Sequence, residues 1–162
     1  MRFCLAAAAL ALLFPMTTLG EVVIHEIHYN PAERAQPLEF IELHNHGNNA
    51  VDLSGWRFDE GIDYTFPDTT TLGPGGLLVV AENPQSLSEH YGAKALGPWI
   101  GKLSNGGETV TLRDANGKKR DTVDYGVGFP WPTAAAGGGG SMELIHPELD
   151  NDLGGSWRSS MP

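Results

Sequence analysis

Two short stretches gather the side chains that do acid–base and metal chemistry. "EFIELHNH" places Glu39, Glu42, His44 and His46 within eight positions, and "HEIH" upstream sets His25 and His28 around Glu26. Imidazoles and carboxylates together are ligands for zinc or copper. If both stretches are strands, their side chains alternate between faces. Ile41 and Leu43 then face a core and send Glu42 and His44 outward. Pairing of the two strands would gather Glu26, His28, Glu42 and His44 on one outer face, the sharpest reading for a metal-dependent site. Against it, alternation points His25 and His28 to opposite sides, and "HEIH" lacks the helical His-Glu-x-x-His spacing. Antiparallel sandwiches commonly leave one polar face in water, so a solvated strand face is preferred and no metal is expected there.

"PELDNDLGG" is the second cluster. Glu148, Asp150 and Asp152 alternate with other residues beside Asn151, and all offer hard oxygen ligands suited to calcium. No glutamate closes the loop at the twelfth position, so an EF-hand is excluded. An acidic surface loop without cofactor is preferred, with calcium as the alternative. Trp99 and Trp131 sit in "LGPWIG" and "FPWPT"; exposed beside Tyr91 or Phe129 they would form a sugar-binding platform. Loop tryptophans in small sandwiches more often plug the open ends of the core, and that reading is preferred. For nucleophilic catalysis there is no Gly-x-Ser-x-Gly elbow, and "GGGGS" precedes a strand, not a helix that would cradle phosphate. Paired-carboxylate glycoside chemistry needs a deep cleft that a sandwich of this size rarely has. The expectation is a protein that is not an enzyme; a small metal-dependent hydrolase is an alternative.

The elements that must hold these residues are short. The chain opens "MRFCLAAAALALLFPMTTLG", a single arginine, an apolar run of about a dozen residues and a small-residue ending, the order of a secretory signal peptide. That run is too short to span a bilayer as a helix, so residues 1–20 are expected to be removed. Residues 21–162 then form one domain, without a transmembrane segment, extracellular or periplasmic. Cleavage removes the sole cysteine, Cys4, and with it any disulfide or thiolate ligand. It leaves nine basic against twenty acidic residues. Such a surface is a poor partner for nucleic acid. The one basic run, "KKR" at 118–120, reads as a solvated turn.

Downstream, β-rich runs are punctuated by Gly, Pro and Asn: "EVVIHEIHY", "LEFIELHN", "AVDLSGWRF", "IDYTF", "LLVVAEN", "ETVTLRD", "RDTVDYG" and "MELIH". Their spacing predicts an all-β sandwich or barrel. Asn116-Gly117 predicts a type I′ hairpin joining 108–114 to 119–125. One short helix is predicted over "PQSLSEHYG", with Asn83 as cap, Pro84 at its first position and Gly92 at its end. Trp56 should be a core or corner residue. The glycines 137–140 read as a flexible loop.

In order, "EVVIHEIHYNP", "EFIELHNHGNNAVDLSGWRF", "YTFP", "LGPGGLLVVAENP", "LSNGGETVTLRDANGKKRDTVDYG" and "MELIHP" resemble the lamin tail domain as bacteria carry it. The resemblance covers residues 22–158, and its most specific parts are "EFIEL" through "VDLSGW" and the later "LSNGGE". It implies an immunoglobulin-like β-sandwich. It also implies a non-catalytic binding or scaffolding module whose partner is a protein or a cell-surface ligand. In secreted bacterial proteins the domain is often joined to hydrolases, nucleases or kinases, so the chain is expected to be part of a longer protein. The nuclear lamins use theirs for protein and DNA contacts, and the acidic balance here argues against DNA. A carbohydrate- or calcium-dependent surface-binding domain is the other non-enzymatic alternative.

Overall fold

Strict alternation in "FIELHN" makes a half-buried strand: Ile41, Leu43 and Asn45 are buried, while Phe40, Glu42 and His44 lie on the opposite face. The same logic runs through most of the chain. The computed structural model describes residues 22–33 and 35–160, and the expected signal peptide lies outside the described residues. In chain order the strands are β1 (Val22–His28), β2 (Phe40–Asn45), β3 (Val51–Asp52), β4 (Arg57–Glu60), β5 (Tyr64–Thr65), β6 (Thr71–Leu72) and β7 (Leu77–Ala81). After the helix α1 (Pro84–Tyr91) come β8 (Glu108–Arg113), β9 (Lys119–Tyr125), β10 (Met142–Leu144) and β11 (Trp157–Ser159).

These strands build an all-β, immunoglobulin-like sandwich with one short helix. One sheet has the order β11-β10-β1-β2-β7 and the other β5-β4-β8-β9, with β3 and β6 as a separate ribbon. All named pairings are antiparallel. Between the sheets, Ile24, Ile27, Ile41, Leu43 and Val80 meet Phe58, Val110, Leu112 and Val123, all fully buried. Each such side chain contributes on the order of 1.5–3 kcal/mol by leaving water. Trp56, at 8% exposure, closes the edge of this core, and the Arg120 guanidinium stacks 5.4 Å from its ring.

A β-bulge in β1 overturns one expectation. Ile24 pairs with Leu43 and Glu26 with Glu42, which leaves His25 as an extra residue. The extra residue slips the alternation by one position. Ile24 and Ile27 therefore both face the core, and His25 joins Glu26 and His28 on the outer face instead of opposing His28.

The 108–125 hairpin pairs as expected, but its turn is not type I′. Asn116 is absent from the positive-φ residues and Gly117 alone has φ 81°. Gly117 N–H donates to Asp114 carbonyl oxygen at 2.9 Å, giving a type I turn followed by a left-handed glycine. Asp114 selects it, because its carboxylate accepts from the Asn116 and Lys118 amides and from Arg120. Lys118, Lys119 and Arg120 are exposed there, as the solvated turn requires.

The helix forms where predicted. Asn83 Oδ1 accepts from Ser86 N–H at 3.0 Å, and Gly92 closes the helix at φ 70°. Leu87 is buried away from the central core, against the outer face of the five-stranded sheet. No helix among the described residues is long and apolar enough to cross a membrane.

The glycine run 137–140 is a loop, as expected, and backbone packs closely against it. A Cβ on Gly138 would lie 2.4 Å from Ala134 carbonyl oxygen, and one on Gly140 2.7 Å from Ser160 carbonyl oxygen. Gly138 closes a tight turn on Ala134, and at Gly140 the Ser160 backbone passes in contact, so neither position has room for a side chain.

Candidate functional site

Register places three carboxylates in one row across the outer face. Glu143 on β10 pairs with Glu26 on β1, Glu26 with Glu42 on β2, and Glu42 with Val79 on β7. Like charges side by side on a sheet repel, and the two outer members have basic neighbours. Arg158 holds Glu143 through Nη2 and Nε, at 2.8 and 3.2 Å. His25 Nδ1 lies 3.1 Å from Glu42 Oε1. Glu26, in the middle, takes only a hydroxyl: Ser141 Oγ donates to its Oε1, with Ser160 Oγ 2.8 Å from Ser141 Oγ.

Above this row the sheet is partly roofed. Leu87 and Tyr91 of α1, with Ala93 just beyond, form one wall. Gly139, Ser141 and Ser160 form the other. Between them is a groove of about 370 Å³ floored by Glu26, His28, Phe40, Glu42 and Val79. Sequence position hides this wall, because the 139–141 segment lies more than a hundred residues from β1 and reaches the groove only through the β1–β10 pairing.

His28 sits at the bottom, 2% exposed, with neither ring nitrogen hydrogen-bonded among the described residues. Phe40 and Tyr91 flank it at ring distances of 5.1 and 6.2 Å. Burial pushes its pKa down to about 4, outweighing the nearby Glu33 carboxylate, so the imidazole is neutral near pH 7. Burial raises the Glu26 pKa, and the Glu42 and Glu143 charges add to the rise against the Ser141 hydrogen bond.

The structure thus brings together three of the four metal candidates, Glu26, His28 and Glu42. His44 is elsewhere, its ring 5.3 Å from His25 and 6.4 Å from His46. Among the described residues no three His, Cys, Asp or Glu side chains are arranged to hold a metal ion. In the acidic loop Asp150 Oδ1 accepts from the Asp152 amide, and Asp152 Oδ1 from the Asp124 amide of β9. Asp150 thus closes a local turn and Asp152 ties the loop to β9, with Glu148 exposed beside them.

The aromatic platform is corrected. Trp99 is 5% exposed and belongs to the core. Trp131 is half-buried, 6.3 Å from Trp157, with Gly126 and Gly154 against its ring. Both plug the sandwich. Tyr91 alone of the three lines the groove, and Phe129 stands 95% exposed outside it. Phe40, Leu87 and Ser141, also in the groove, were not foreseen. The apolar Phe40 on the otherwise polar face of β2 was the available signal.

The family model described as Lamin Tail Domain matches residues 15–127 of the chain. A search of curated proteins finds no match.

Proposed function

The chain belongs to the lamin tail domain family, and we propose that it is a non-catalytic binding module whose groove over β1, β2 and β7 receives a protein or cell-surface partner. The observation that carries this reading is the buried His28 imidazole, unpartnered at the floor of a half-roofed groove. Buried polar atoms are nearly always hydrogen-bonded, and leaving one unpaired costs about 1–3 kcal/mol. A ligand group that completes the imidazole recovers that cost on binding.

The same groove holds a serine, a histidine and a glutamate, so hydrolysis is the reading to weigh against it. In a nucleophilic triad the histidine bonds the serine and the carboxylate orients the histidine. Here Ser141 bonds Glu26 directly and the imidazole is bypassed. A pKa near 4 also makes His28 a weak general base at neutral pH. These two facts favour binding over catalysis.

A photo-crosslinking residue placed at Ala93, with exposed Leu153 as a second site, tests the reading on the producing cells. Defined crosslinked species are expected from position 93 and not from 153. Equal yields from both positions would remove the groove from the proposal.

The module is further proposed to be an exported bacterial protein, on the charge and apolar order of residues 1–20. Mass spectrometry of the external protein should find Glu21 at the N-terminus, whereas full-length chain retained in the cytoplasm would contradict export.

A further inference from the structure

We propose that the groove receives a primary ammonium on an unbranched aliphatic stem, the side chain of a lysine presented by a partner protein. The proposal rests on the binding reading above and names the group that is bound.

Charge is the first argument. Two adjacent carboxylates, Glu26 and Glu42, open into the groove, with Glu143 beside them already neutralised by Arg158. Among the described residues that line the groove there is no lysine or arginine. The whole chain carries a formal charge of −10, so its field draws cationic partners.

The donor count separates ammonium from guanidinium. Oε1 of Glu26 receives Ser141, and Oε1 of Glu42 faces His25 Nδ1. Each carboxylate thus has Oε2 open while Oε1 is already engaged, a poorer two-oxygen fork for a planar guanidinium than a carboxylate with both oxygens free. An ammonium has three donors free to rotate. They need no fixed fork, so a carboxylate Oε2 and a ring nitrogen of His28, which has no partner among the described residues, are acceptors of the kind they require. The neutral imidazole accepts such a bond without repelling the cation.

The walls suit the stem. Phe40, Val79, Leu87 and Ala93 supply apolar surface, and the Phe40 and Tyr91 rings stand beside the proposed head position. Lysine lays its methylenes on apolar surface while its charge meets polar groups, and aromatic faces add cation–π attraction. A volume of about 370 Å³ holds one long side chain and not a folded domain element.

The test titrates Nα-acetyl-lysine methylamide into isotopically labelled protein while the His28 ring resonances are followed. The norleucine analogue, which keeps the stem and lacks the ammonium, is titrated in parallel. Saturable shifts at His28 are expected for lysine, with binding weaker by about tenfold or more for norleucine and for Glu42→Gln. Glu148→Gln, outside the groove, should bind as the parent does. Equal binding of the norleucine analogue, lysine shifts that bypass His28, or unchanged affinity in both Glu26→Gln and Glu42→Gln would overturn the proposal. So would tighter binding of 1,5-diaminopentane than of the lysine derivative, which would assign the groove to a free diamine. If lysine fails while position 93 still crosslinks a partner, only the ammonium assignment falls; if both fail, the binding reading falls with it.

Discussion

Asp121 on β9 accepts a hydrogen bond from the backbone amide of Ile24 on β1 across 2.6 Å, joining the two sheets one residue before the bulge that turns His25 outward. The same oxygen, Oδ2, receives Asn151 Nδ2 at 2.8 Å. The amide of a fully buried residue is thus satisfied by a side chain from the opposing sheet.

Replacing Asp121 by alanine leaves that amide unpaired, and a loss of about 1–3 kcal/mol is expected in urea unfolding. Asp121→Asn keeps an acceptor and should lose less. Equal stability of the alanine variant and the parent would show that the Ile24 amide finds another partner.

Glu39 gives stability a pH dependence. It is 6% exposed, its Oε2 accepts from the Leu103 amide at 2.8 Å, and burial raises its pKa to about 7. The folded state holds the proton more tightly than the unfolded chain, so its favourable contribution is complete below pH 4.5 and declines as pH rises through 7. Glu39→Gln cannot ionise. Between pH 4 and pH 8 the comparison should move in the variant's favour by about 2–3 kcal/mol. A difference that stays constant across that range would contradict the assignment.

His28 works in the other direction. Its folded pKa is depressed to about 4, so its contribution is complete above pH 6.5 and is lost as pH falls through 4. The ring resonances should remain those of a neutral imidazole at pH 5.5. His28→Phe should flatten the acid limb of the stability curve, by about 2–3 kcal/mol at pH 4. A His28 ring already protonated at pH 5.5 would mean that water or a charge reaches it.

Trp56→Ala removes a core edge residue and the ring under Arg120. A loss of about 3–5 kcal/mol is expected from the lost burial and the cavity left behind. An unaltered melting temperature would place the indole in solvent.

Much of the sandwich was legible because alternation and turn chemistry agree locally. "FIELHN" alternates without fault, Asn83 and Gly92 bracket α1, and the 108–125 hairpin carries its own turn signal. The bulge was also written in the sequence, since the apolar spacing lengthens from two between Val22 and Ile24 to three between Ile24 and Ile27. Reading strict alternation through that step turned His25 to the wrong side. The turn after Arg113 was misread because Asn-Gly favours type I′, while the carboxylate of Asp114 three residues before Gly117 organises a different one. The groove was half legible. Glu26, His28 and Glu42 were placed together by period and pairing alone. Its walls were not, because β11 and the contact between the glycine run and Ser160 depend on long-range packing that no local pattern encodes.

The glycines beside the groove also constrain how this surface can change through mutation. Backbone atoms of Ala134 and Ser160 occupy the space that side chains at 138 and 140 would need, and Gly139 stands at φ 90°. Apart from the Ser141 and Ser160 hydroxyls, that bank is main chain, and its glycine stretch is nearly closed to new chemistry by substitution. On the opposite bank Tyr91 is exposed and Ala93 half-buried, so their side chains reach solvent. A lineage adapting this groove to a new partner would therefore rewrite the helical bank and inherit the glycine one unaltered.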